Sequence, residues 1–225
     1  SPDSDADIAD AAAEDAATDG DAAPSVEVCN QQSWCHLALP PDQTLRDVWG
    51  DGAGTVWSVA EEGNILRWDG TKWVIHHSVT GKLHAIWGSG PTDIWVGGDD
   101  GLLHGQGASS SSIVWTPVSI PAALPILSIW GAAADDIWAV GGKAQTATQP
   151  HTYEGEVFHY AGPADGWVLD PISSQPAAFS RVWGASSSDV WIGGDMSASK
   201  ALVLRGAPDG SGAMTWTEET LTLRK

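Results

Sequence analysis

Apolar residues along most of this chain come in short runs that end at Gly, Asp, Ser or Pro, as in LRDVWG (45–50), TVWSVA (55–60), GNILRW (63–68) and EVFHY (156–160). These runs are rich in β-branched and aromatic residues, which is the signature of strands. Gly, Pro and β-branched residues interrupt every window before a 3.6-residue period can build, so a helical reading fails. Adjacent apolar pairs such as Val48-Trp49 and the run Ile94-Trp95-Val96 predict strands whose two faces are both covered.

The runs repeat. LRDVWG (45–50), LHAIWG (83–88), ILSIWG (126–131) and FSRVWG (179–184) align without gaps, and each is followed eight residues later by a second tryptophan. The pairs are Trp49 and Trp57, Trp87 and Trp95, Trp130 and Trp138, Trp183 and Trp191. A further tryptophan, Trp73, Trp115, Trp167 or Trp216, opens the last run of each unit after an interval of 16 to 29 residues. Fixed spacing predicts a tight hairpin, and variable spacing predicts a loop that accepts insertions.

Units begin 38, 43 and 53 residues apart, bracketing the ~40–50 residues of a propeller blade. The expected fold is therefore all-β and β-propeller-like, with four repeats of four-stranded antiparallel blades at about 45–82, 83–125, 126–178 and 179–225. Asp69-Gly70, Asp165-Gly166 and Asp209-Gly210 fall between third and fourth strands, where a hairpin wants residues that accept positive φ. Gly97-Gly98, Gly141-Gly142 and Gly193-Gly194 end the second strands.

Trp34 precedes Trp49 by the interval that separates each fourth-strand tryptophan from the next unit, so SWCHLALPPDQ (33–43) reads as an extra N-terminal strand. Four units stand at the lower limit of the ~4–8 blades of closed rings. Two closures stay open: a four-bladed ring whose surplus strand covers an edge, or an incomplete ring completed by a second copy, which makes a homodimer a candidate assembly.

Charge divides the chain into two. Residues 1–28 hold nine acidic residues and no basic one, against twenty acidic and ten basic residues in 29–225, for a net charge of −19. The first stretch reads as a disordered acidic tether and the second as the propeller domain. Asp3, Asp5 and Asp7 echo the start of a calcium loop but lack its glycine and closing glutamate. Such acidity argues against nucleic acid or an anionic membrane surface as partner. Cys29 and Cys35 enclose five residues and predict a short disulfide formed in an oxidising compartment. No run approaches the ~18–20 apolar residues of a spanning helix.

The VWG, Asp-Ile/Val-Trp and Gly-Gly strings, with a third-strand His/Arg-Trp/Tyr segment, resemble the propeller repeats of secreted proteins and lipoproteins of bacteria. They are more loosely similar to the Asp-box repeats of sialidase-like propellers. The resemblance covers about residues 34–225. It implies an extracytoplasmic location, secreted, periplasmic or held at the outer surface by a lipid anchor. Asp93, Asp136 and Asp189 precede tryptophan by two residues without an intervening Gly-x-Thr, so the resemblance does not carry sialidase catalysis.

No sequence signature of a nucleophile with its base, a carboxylate pair, a metal set or a cofactor site is present, and the expectation is a non-catalytic module without cofactor or metal. His36, His76, His77, His84, His104, His151 and His159 share no ligand spacing, and the adjacent His76 and His77 are expected on opposite faces of a strand. Asp93, Asp136 and Asp189 are expected to accept backbone N–H bonds in turns.

Function is sought where the units differ. The two positions after each opening apolar residue vary most, and Arg46, Asp47, His84 and Arg181 are the candidate ligand-binding cluster at the central channel. The insertion GKAQTATQPHTYEG (142–155) is the candidate contact loop. The leading reading is a binding or scaffolding module with a protein partner. The alternative is a lectin-like propeller whose exposed tryptophans stack on sugars, followed by a sialidase-like hydrolase, which requires an arginine triad at the channel mouth.

Overall fold

The computed structural model describes residues 28–29, 35–145, 147 and 149–220. The acidic tether with Asp3, Asp5 and Asp7, Trp34, and the side chains of Cys29, Cys35 and His36 lie outside the described residues, as does the expected disulfide. The chain forms two compact units, Ser1–Ala38 and Leu39–Lys225. In the first, β1 (Val28–Cys29) pairs antiparallel with β2 (Cys35–His36), setting Cys29 opposite Cys35.

The second unit consists of four consecutive antiparallel four-stranded sheets. Blade one is β3 (Leu45–Gly50), β4 (Val56–Ala60), β5 (Asn64–Trp68) and β6 (Trp73–Ser78). Blade two is β7 (Leu83–Gly90), β8 (Asp93–Gly98), β9 (Gly101–Gln106) and β10 (Val114–Val118). Blade three is β11 (Ile126–Ala133), β12 (Asp136–Gln145), β13 (Thr152–Tyr160) and β14 (Trp167–Leu169). Blade four is β15 (Ala178–Ser186), β16 (Asp189–Ser197), β17 (Lys200–Pro208) and β18 (Met214–Glu218). The opening strands β3, β7, β11 and β15 touch in succession.

The eight-residue spacing is the hairpin joining first and second strands, which sets Trp49, Trp87, Trp130 and Trp183 directly opposite Trp57, Trp95, Trp138 and Trp191. Cross-strand partners share one face of the sheet. On that face the first indole reaches the glycine of the next blade's opening strand. A Cβ on Gly88 would lie 2.9 Å from the Trp49 ring, one on Gly131 2.7 Å from Trp87, and one on Gly184 2.5 Å from Trp130. Only a glycine leaves room for that approach. The second indole meets the next blade's outer tryptophan edge-on, with centroids 5.7 Å apart for Trp57 and Trp115, 5.3 Å for Trp95 and Trp167, and 5.4 Å for Trp138 and Trp216.

Trp57, Trp95 and Trp138 are buried, and their indole N–H groups have no acceptor among the described residues. Leaving one such donor unpaired costs about 1–3 kcal/mol. Burying ~150–250 Å² of indole at ~25 cal/mol per Å² returns about 4–6 kcal/mol, so burial wins.

A second tie runs within each blade. Asp93 Oδ1 accepts from His104 Nε2 at 2.6 Å, and the His104 ring stacks on Trp95 at 3.8 Å. Asp136 and His159 repeat the bond at 2.7 Å, with the ring 4.0 Å over Trp138. In blade four Arg205 Nε donates to Asp189 at 2.7 Å and its guanidinium lies 5.3 Å over Trp191. The repeated aspartates are architectural, but their partners are third-strand side chains and not the turn N–H groups expected from sequence. Register dictates this, because His104, His159 and Arg205 sit directly opposite those tryptophans.

Strict alternation also fails at His76. The pairing of β5 with β6 steps from Ile65↔His77 to Leu66↔Ile75, so His76 is a bulge. Both imidazoles then lie beside Trp115, at 6.5 Å and 6.3 Å, instead of on opposite faces.

Two substitutions test these ties. Gly131→Ala forces a Cβ into the Trp87 ring and is expected to lose about 1–3 kcal/mol in denaturant unfolding. Gly90→Ala, whose Cβ meets no heavy atom within 4 Å, is expected to change stability by less than about 0.5 kcal/mol. Equal losses would contradict the indole-on-glycine contact.

The His104 bond holds the Asp93 carboxyl below its ordinary value, against burial, which raises it. An acid depressed in the folded state stabilises fully above its unfolded value of about 3.9, and that contribution disappears as pH falls through the folded value. Asp93→Asn is therefore expected to cost about 1 kcal/mol at pH 7 and to flatten the loss of stability as pH falls below about 4. Urea titrations across that range read both, and an unchanged acid slope would refute the bond's role.

Candidate functional site

Each opening strand carries a bulge at one place. Pairing skips Arg46 between Leu45 and Asp47, His84 between Leu83 and Ala85, Leu127 between Ile126 and Ser128, and Ser180 between Phe179 and Arg181. A bulge bends its strand and re-aims the extra side chain. Four such bends bring Leu45, Arg46, His84, Leu127 and Arg181 around one cavity of about 270 Å³. All four blades contribute to it.

Three of the four residues expected at the channel therefore meet there. Asp47 does not line the cavity: its Oδ2 accepts from the Ile86 N–H of the next blade and its Oδ1 from the Val48 N–H, both at 2.9 Å. Burial raises its carboxyl, while those two N–H groups and the nearby Arg181 lower it. Ser128 makes the same tie onto blade four, its Oγ accepting from Val182 N–H at 3.2 Å. Asp47 is thus an interblade clasp. The signal for it in the sequence is a polar residue at the third position of LRDVWG and ILSIWG.

The cavity wall is cationic inside an acidic protein. Arg46 Nη1 pairs with Glu61 at 3.2 Å, Lys82 reaches the same carboxylate at 3.3 Å, and His84 Nε2 lies 2.7 Å from Asp99. Glu61 and Asp99 stand where second strands turn into third strands, a position that the comparison of opening strands alone does not single out. Arg181 Nη1 donates to Ser180 O at 2.7 Å and has no carboxylate at salt-bridge distance among the described residues. Two arginines line the cavity, one short of the triad a sialidase-like site requires.

The insertion at 142–155 prolongs β12 and β13 into a ribbon paired as far as Gln145↔Thr152. The corresponding hairpin of blade two ends at Gly98↔Gly101. The ribbon rises at the same end of the blade as the bulge, since first-strand starts and second-strand ends adjoin. Further depressions sit elsewhere. One of about 330 Å³ is lined by Val79, Lys82, Leu102 and Pro117, and one of about 490 Å³ by Asp136, Trp138, His159 and Met214. Among the described residues no three His, Cys, Asp or Glu side chains converge as metal ligands.

No protein-family model and no curated protein matches this chain. Solved structures do resemble it. Ycf48 from Cyanidioschyzon merolae superposes with a TM-score of 0.54 at 20% identity, over 72% of this chain and 50% of that one. The chain thus spans half the length of that structure. A Ycf48 bound to D1 peptide gives 0.45 at 15% identity over 79% and 69% of the two chains. The WD40 β-propeller domain of Doa1 gives 0.41 at 10% identity over 80% and 83%. At these identities the likeness concerns the fold alone: this chain is an all-β protein built from propeller blades.

Proposed function

We propose that the chain is a non-catalytic, extracytoplasmic interaction module that holds an acidic segment of a protein partner at the bulge-lined cavity. The observation that carries this reading is the convergence of Arg46, His84 and Arg181 from three different blades, with no carboxylate among the described residues at salt-bridge distance from Arg181. Architecture demands the same residue in every blade, and these positions are where the blades differ. A cavity of this size admits one carboxylate side chain or a chain-terminal carboxylate, which a guanidinium meets with two parallel bonds. The β12–β13 ribbon beside it offers backbone and loop contacts to the rest of the segment.

The extracytoplasmic part rests on Cys29 and Cys35. Directly opposed strand residues have Cα atoms about 4.5–5.5 Å apart, within the range a disulfide spans. A gain of two hydrogens in intact mass on reduction is the expected result.

Sugar binding needs several equivalent exposed indoles. Trp57, Trp95 and Trp138 are buried, and among the described tryptophans Trp183 alone is exposed. A glycan array reads that alternative directly: several weak, equivalent sites per chain would favour it over the peptide reading.

The test of the main reading is selection from a random peptide library followed by binding of the selected peptides to variants. Selected sequences are expected to contain Asp, Glu or a free terminal carboxylate. Arg181→Ala is expected to weaken them about tenfold or more, as loss of a charged hydrogen bond worth about 1.5–3 kcal/mol requires. Peptides without an acid, or affinities indifferent to Arg181 and Arg46, would remove the proposal.

A further inference from the structure

Three seams join the four blades, and each is built from the same parts. The opening apolar residue, the β-branched residue three places on, the glycine and the outer tryptophan of one blade receive the two indoles of the blade before. Blade one has the receiving parts, Leu45, Val48, Gly50 and Trp73, and among the described residues no blade precedes it. Blade four has the inserting parts, Trp183 and Trp191, and among the described residues no blade follows it.

The exposures show both faces uncovered. Val48 is 62% exposed, while its counterparts Ile86, Ile129 and Val182 are 3%, 6% and 5% exposed. Trp183 is 60% exposed, whereas Trp49, Trp87 and Trp130 lie on the next blade's glycine. A Cβ built on Gly50 meets Thr55 and Val56 of its own hairpin and no indole. Trp73 packs on Trp68 within its own blade at 6.0 Å, and no outer tryptophan reaches Trp191, whose Nε1 donates to Asp189. A Cβ on Gly193 meets only Arg181, while one on the corresponding Gly97 would strike Ile126 of the following blade at 2.6 Å.

We infer that these two faces are one interface, occupied by a second copy of this chain: Trp183 and Trp191 of one copy seat on Val48, Gly50 and Trp73 of its partner. The occupant is specified by the chain itself, because the three internal seams already show what this surface binds. The contact joins unlike faces, and a twofold rotation lets the same two copies make it twice and leaves neither face bare. A dimer of this kind has eight blades, within the ~4–8 known for closed rings. A bare seam would leave an apolar sheet face open to indiscriminate association.

The test is solution mass by light scattering on the full chain and two surface variants, Trp183→Arg and Val48→Arg. Both residues are exposed, and circular dichroism checks that the variants stay folded. The wild type is expected at twice 23.5 kDa, and each variant alone is expected to show a large drop in the dimer fraction. Mixing the two variants should restore dimers, since the mixture contains one intact pair of faces. A wild type at the single-chain mass, a dimer indifferent to Trp183→Arg, or a mixture that stays monomeric would each overturn the inference, the last because the intact Trp183 face of one variant had not found the intact Val48 face of the other.

Discussion

The contact on which the rest of this domain depends is an indole ring lying on a glycine of the neighbouring blade. Trp49 on Gly88, Trp87 on Gly131 and Trp130 on Gly184 set the distance between successive opening strands. Everything nearer the axis inherits that distance. Once the opening strands are fixed, the bulges at Arg46, His84 and Leu127 can point only inward, and a cavity forms where four strands start. The glycine is as necessary as the tryptophan, because any side chain there would hold the blades apart.

Most of this fold was legible because its strongest signal is repetition. Four gapless VWG segments and a constant eight-residue step give blade number, hairpin and register together, and a register error would move every tryptophan to the wrong face. The turn chemistry was legible in part. Asp69 takes the N–H groups of Thr71 and Lys72, which drives its carboxyl down to about 2, and Gly70 follows with φ of 104°. In the Asp209 turn the same aspartate bonding recurs, but the positive φ falls on Gly212 and not on Gly210. Dipeptide signals mark where the chain turns without fixing the turn's length.

The site was harder to read, and bulges are the reason. Period-two counting places Arg46 and Asp47 on opposite faces and gives no hint that the first is skipped by the ladder. The inserted residue sends Arg46 to the cavity and lets Asp47 reach across to Ile86, so two neighbours grouped by variability part into cavity-facing and structural roles. His76 and His77 fail the same count for the same cause, in the opposite sense: the bulge gathers what alternation would separate.

The aspartate ties show how a repeat can keep a geometry while changing its chemistry. Blades two and three use aspartate, histidine and tryptophan; blade four replaces the imidazole with Arg205; blade one has Thr55 where the others have aspartate, and Arg67 turns to Trp68 O and Ser110 Oγ of blade two. In each case a flat cationic or aromatic group opposes the second tryptophan, and in blades one to three the next blade covers the indole as well. What varies is whether the far end of that group is anchored within the blade or across the seam. The first blade spends its arginine on the seam to the second, while the fourth keeps Arg205 at home.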